Sequence, residues 1–171
     1  MAAGPTFEPI ATTTLGSAAS SITFSSIPST YTDLRVIVTW NTNNATFNNL
    51  AITFNNDTAT NYSDTYIYGN GASVGSARET SQAYINCGLS AGDSSTTKFA
   101  FNTLDVMSYA GSTYKTLLNT NSDDNNGSGY VITTVGLWRS SSAINRLDLK
   151  CLSTANFVAG TTATLYGVKS A

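Results

Sequence analysis

Apolar residues in this chain recur at every second position, in short bursts separated by Ser, Thr, Asn and Gly. The clearest burst is SITFSSIPSTYTDLRVIVTW, residues 21–40. Ile22 and Phe24 alternate with Thr23 and Ser25, the period of a half-buried strand. Ile27 precedes Pro28 and is pushed out of helical geometry. Ser26, Ser29, Thr30 and Thr32 around that proline mark a corner. Leu34, Val36, Val38 and Trp40 then share one strand face, with Arg35, Ile37 and Thr39 on the other. β-Branched and aromatic side chains dominate, which favours a pleated surface over a helix. Strand, corner and strand in succession predict the seed of a two-sheet sandwich.

The same period places further strands. Residues 7–15 read as an edge strand, because Pro9 offers the ladder no donor. Leu50, Ile52 and Phe54 mark another strand after a polar, Asn-rich stretch at 41–49. Residues 61–68, NYSDTYIY, run into the turn Gly69-Asn70-Gly71. Residues 72–78 read as a small-residue loop. Residues 81–89 carry Ala83, Ile85, Cys87 and Leu89 on one face. The longest strand candidate is 98–109, with Phe99, Phe101, Asp105 and Met107 in phase against Leu104 and Val106. A bulge near Asn102 is expected to turn Asp105 outward. A short strand at 114–118 leads into 120–129, TNSDDNNGSG, an exposed loop by composition. Strands follow at 130–139, 143–152 and 161–168. No window has helical periodicity, and no proline follows Pro28. About eight to ten short antiparallel strands joined by polar turns predict an all-β sandwich or barrel. Phe24, Leu34, Val36, Val38, Ile52, Phe54 and Val135 are the expected core.

Length and charge narrow the picture. The 171 residues fit a short arm at 1–6 followed by a single domain at 7–171. Only 11 % of residues are charged, and the formal net charge is −2. No basic run exists, so no nucleic-acid footprint is expected. No apolar run reaches the ~18 residues of a membrane-spanning helix, and the first residues do not read as a signal peptide. Cys87 and Cys151 are expected as buried free thiols, with an inter-strand disulfide as the alternative.

Candidate chemistry is sparse. The chain has no histidine, which excludes Ser-His-Asp and Cys-His arrangements. Asp33, Asp57, Asp64, Asp105 and Asp148 are scattered over turns and strands, so no enzyme is expected. Zinc lacks both histidine and a CxxC pair. Calcium could draw on Asp123, Asp124, Asn125 and Asn126, but their spacing is not that of an EF-hand. A solvated loop is the expectation, and no cofactor. Tyr62, Tyr66, Tyr68 and Trp138 are the candidates for stacking on sugar rings, against the alternative of core packing.

Several segments resemble a family of structural proteins of tailed-phage particles, frequent among cyanophages. They are ATTTLGSAASSITFSSIP with TYTDLRV, TFNNDTATNYSDTYIYGNG, DVMSYAGSTYKTLL, VGLWRSSSAINRLDL and NFVAGTTATLYGVK, from about Phe7 to Lys169. The order and spacing of these segments carry the resemblance. It implies a jelly-roll-like β-sandwich on the surface of the virion, assembled in the host cytoplasm. The implied role is a capsid decoration (cement) protein docked on the major capsid protein. A tail-fibre or appendage module that recognises host-surface glycans is the alternative. The implied partners are other virion proteins and further copies of the chain, as a trimer. No catalytic residues come with the resemblance.

Overall fold

The computed structural model describes residues 6–44, 46–90 and 97–169. Apart from Thr6, the arm expected at 1–6 lies outside the described residues. The regular structure consists of twelve strands, with no helix among the described residues. They are β1 (Phe7–Thr14), β2 (Ser21–Ser25), β3 (Asp33–Trp40), β4 (Asn48–Phe54), β5 (Tyr62–Gly69) and β6 (Val74–Gln82). Then come β7 (Ile85–Ser90), β8 (Ala100–Met107), β9 (Lys115–Asp123), β10 (Tyr130–Trp138), β11 (Arg146–Cys151) and β12 (Thr162–Val168). All pair antiparallel, in two sheets ordered β1-β12-β3-β8-β9-β10-β5-β6 and β2-β11-β4-β7. The chain is the all-β sandwich that its alternation predicts, with more strands than the eight to ten expected.

The connectivity is that of a jelly roll with an insertion. Take β2, β3, β4, β5, β6, β7, β10 and β11 as eight successive strands. The small sheet then pairs the first, last, third and sixth. The large sheet sets the second, seventh, fourth and fifth in that order, as two interlocked Greek keys require. The hairpin β8–β9 is inserted between the second and the seventh. β12 and β1 widen the large sheet beyond β3.

The corner at Pro28 carries the chain from one sheet to the other. Ser26 takes φ 56°, and Ile27 N donates to Asn145 O at 3.0 Å. The Tyr109 hydroxyl donates to Pro28 O and ties the corner to the turn after β8. Ile22 and Phe24 of the small sheet thus enter one buried cluster with Leu34, Val36, Val38 and Trp40 of the large one. Burial of such side chains, at ~1.5–3 kcal/mol each, is the main term holding the sheets together.

Four expectations are corrected. Residues 74–78 of the expected loop at 72–78 belong to a strand, β6, which runs on to Gln82, so the strand expected at 81–89 is divided between β6 and β7; β6 is an edge whose pairing with β5 is made by backbone, so its side chains need no apolar period. β9 extends through Asp123 into the stretch expected as loop, because its polar residues point inward. No bulge interrupts β8; Asp105 faces outward because Phe101, Asp105 and Met107 all lie on the outer face. Val135 is 47 % exposed, since the core face of β10 is the one bearing Ile132 and Trp138. The remaining expected core residues, Phe24 to Phe54, are buried.

Candidate functional site

The inner face of the large sheet changes character along its strands. At one end Tyr62, Trp138, Leu117 and Val106 are apolar and buried. Toward the other end the inward positions become Asn102, Asn119, Asn121, Asp64 and Thr134, also buried. Polar groups at such positions need partners, and β7 supplies them to Asn102, Asn119, Asn121 and one oxygen of Asp64.

β7 is the edge of the small sheet, and it leans edge-on into the large one. Its pairing with β4 shifts between Asn49 and Ala51, opposite Cys87 and Gly88. This bulge turns backbone groups toward the opposite sheet. Cys87 O accepts from Asn102 Nδ2 at 2.6 Å and from Asn119 Nδ2 at 2.9 Å. Leu89 N donates to Asn121 Oδ1 at 3.1 Å, and Asn86 N to Asp64 Oδ2 at 3.2 Å. Asn102 Oδ1 accepts from Trp40 Nε1 at 2.7 Å and from Asn121 Nδ2 at 3.0 Å, closing the network. Gly88, at φ +103°, is needed twice: its conformation disfavours other residues, and a Cβ there would lie 2.7 Å from Asn121 Cβ.

Beyond β7 the large sheet overhangs the small one, and a cleft opens between them. Its volume is about 340 Å³. Tyr66 and Tyr68 of β5 and Tyr130, Ile132 and Thr134 of β10 form one wall. Asn86, Gly88 and Leu89 of β7, with Asn49 of β4, form the other, and Asn70 lies at the turn. The rings of Tyr66 and Tyr68 are 6.5 Å apart. Tyr68 lies across Gly75 of β6, where a Cβ would come within 2.6 Å of the phenol. Phe47 packs edge-on against Tyr130 at 5.3 Å. Among the described residues no charged side chain lines this cleft.

Three polar side chains near it stand out. Asp64 is 2 % exposed, and its Oδ1 has no hydrogen-bond partner among the described residues. Burial raises its carboxyl to about 6, with Glu79 across the strand pair adding to the rise and the Asn86 N–H opposing it. Burial also raises the Tyr66 hydroxyl above its ordinary value, so it stays a neutral donor. The Thr134 hydroxyl is likewise buried and unpartnered among the described residues.

The four aromatic candidates divide. Tyr66 and Tyr68 sit side by side in the cleft. Tyr62 and Trp138 are core residues, stacked at 6.2 Å with an interplanar angle of 14°. The Tyr62 hydroxyl accepts from Phe54 N at 3.0 Å, and Trp138 Nε1 donates to Asp57 Oδ2 at 2.7 Å. Neither ring offers a face to an outside molecule. Tyr130, Thr134 and Asn86 escaped the sequence reading. The signal was there for β10: Tyr130 and Thr134 are in phase with Trp138.

The loop after β9 folds on itself. Asn125 N donates to Asp123 Oδ1 at 3.1 Å, and Lys98 Nζ donates to Asn125 Oδ1 at 3.3 Å. Asn125, Asn126 and Gly127 all take positive φ. Among the described residues no group of three or more His, Cys, Asp or Glu side chains is placed to hold a metal ion. Cys87 and Cys151 are buried and unpaired.

The outer face of the large sheet is a second candidate surface. Ile67, Phe101, Met107, Leu118, Val131 and Val135 stand out from it at 40–62 % exposure. Thr65, Thr103, Thr116, Thr120 and Thr133 fill the positions between them. Asp105 is the one charged side chain that β5, β8, β9 and β10 present there, and Arg35 of β3 neutralises it at 2.6 Å. Comparison with protein-family models, with curated proteins and with solved structures gives no match.

Proposed function

We propose that this chain is a structural protein of a tailed-phage particle: a capsid decoration protein, not an enzyme, that docks on the major capsid protein by the outer face of its large sheet. The observation that carries the reading is the character of that face across β8, β9, β10 and β5, which is aliphatic and Thr-rich with one carboxylate, neutralised by Arg35, while Arg78 of β6 and Asp33 of β3 stand at its margins. Exposed apolar surface of this kind marks a protein interface. Covering it desolvates little charge. Val, Ile and Thr are stiff at χ1, so little side-chain entropy is lost on docking. The resemblance to phage structural proteins points the same way. Self-association, as a trimer, belongs to the same proposal, because β1, β6 and β2 end their sheets without a further strand partner among the described residues.

The test is location and copy number on purified particles, by quantitative mass spectrometry and cryo-electron microscopy. Hundreds of copies on the head support decoration. A few to a few dozen copies on the tail, or none on the particle, overturn it. Val135→Asp places a charge on the docking face and should leave a folded protein that no longer decorates heads. Decoration undiminished by that change excludes this face.

A further inference from the structure

We propose that the cleft between β7 and the β5–β10 overhang is a binding site for a neutral saccharide. The proposal is independent of the docking face, which lies on the opposite side of the large sheet. Three features of the cleft point to that ligand class.

The first is its combination of surfaces. A sugar ring has apolar C–H faces and a rim of hydroxyls, each both donor and acceptor. Tyr66 and Tyr68 supply adjoining aromatic faces, and Gly75 lets Tyr68 lie flat, leaving its other face to the cleft. Asn49, Asn70 and Asn86 supply amides; Asn70 Oδ1 already accepts from Ala72 N and Ser73 N and Asn86 Oδ1 from Gly88 N, so those two offer their Nδ2 donors. The volume, 340 Å³, is at the low end of the ~300–1,000 Å³ of small-ligand sites and suits a short saccharide.

The second is charge. With neither a cation nor an anion among the described residues of the lining, these walls have nothing to neutralise a phosphate, a carboxylate or an amine. An ionised ligand would be desolvated there without compensation.

The third is the buried Thr134 hydroxyl in the cleft wall, which has no partner among the described residues. Buried hydroxyls are nearly always satisfied. A ligand hydroxyl reaching between Tyr66 and Ile132 would supply the missing bond.

Two-dimensional amide NMR of the ¹⁵N-labelled chain tests this. The probes are N-acetylglucosamine, galactose, rhamnose and their disaccharides, with N-acetylneuraminic acid as the anionic control. Saturable shifts at Tyr66, Tyr68, Asn86 and Tyr130 with at least one neutral probe are expected, with the anion at least tenfold weaker. Tyr68→Ala and Thr134→Val should each weaken that binding about tenfold, the loss of one good contact. Thr134→Val should leave the thermal midpoint unchanged or higher, because it removes an unsatisfied group. No shifts with any neutral probe, shifts confined elsewhere, equal binding of the anion, or wild-type affinity in both variants would each overturn the proposal.

Discussion

Asp64 makes the fold more stable in mild acid than at neutral pH. Its carboxyl titrates near 6 in the folded chain, against an ordinary 3.8. Below 3.8 the acid is protonated in both folded and unfolded chains and contributes no pH dependence. Between 3.8 and about 6 the folded chain holds a proton that the unfolded chain has released, so stability falls as pH rises. Above that window both are ionised and the full penalty is in place. At about 1.4 kcal/mol per pKa unit, the rise from 3.8 to about 6 corresponds to ~3 kcal/mol. Asp64→Asn removes the charge, and its amide oxygen can still accept the Asn86 N–H. Its amide hydrogens need partners at the buried position where Oδ1 has none, so the net gain at pH 8 is ~1–3 kcal/mol. Asp57 and Asp148 have carboxyls below the ordinary value: burial lifts each, but hydrogen bonds outweigh it, from Asn61, Trp138 and Ala59 to Asp57 and from Arg146 and Thr23 to Asp148. Their contribution runs oppositely, being lost as pH falls. The observable is therefore the difference between variant and wild type, from urea unfolding at a series of pH values between 4 and 8. That difference should grow by ~2–3 kcal/mol across the window. A difference flat with pH refutes a buried, proton-binding Asp64.

The remaining predictions test the packing. Val36→Asp should prevent folding, because an unpaired carboxylate in the core costs several kcal/mol, whereas Val135→Asp should fold with a near wild-type circular-dichroism melt. Asn102→Leu should lower stability by at least ~3 kcal/mol in urea unfolding, since it strands Trp40 Nε1 and the Asn121 amide in a dry interior. A loss below ~1 kcal/mol would mean that the network is not coupled. Alkylation without reductant should label both Cys87 and Cys151 in urea and neither in the native protein; absence of label in urea would reveal a disulfide.

Much of the fold was legible because it follows one rule. In β2, β3 and β12 the apolar phase and the inward phase coincide, so alternation alone locates the strands and the Pro28 corner. Where the rule inverts, reading the sequence fails for a physical reason. β10 sends Val131 and Val135 outward, while Thr134 and Gly136 go in. Gly136 is small because a Cβ there would lie 2.5 Å from Ile85 Cγ2, where β7 presses close. β9 buries Asn119, Asn121 and Asp123, the last two in a stretch that by composition belongs to a loop; Asn119 and Asn121 are satisfied by bare carbonyl and amide groups of a bulged strand from the other sheet, and Asp123 accepts from Asn125 N. Such a match between distant segments leaves no local trace. The cleft was half legible: Tyr66 and Tyr68 stand out, but the amides facing them arrive from β4 and β7.

The hydrogen bonds between side chains of β5, β8 and β9 and the backbone of β7 also have a mechanical meaning. Two sheets held only by aliphatic contact can shear past each other with a gradual change in energy, because dispersion has no preferred direction. Here the bonds to Cys87 O, Leu89 N and Asn86 N act as a row of pins between the layers. Sliding the sheets by even a fraction of a residue would break several at once, in a place where water cannot replace them. The sandwich should therefore resist load stiffly up to a threshold and then yield abruptly. A shell component that must hold its shape under internal pressure gains from that kind of response.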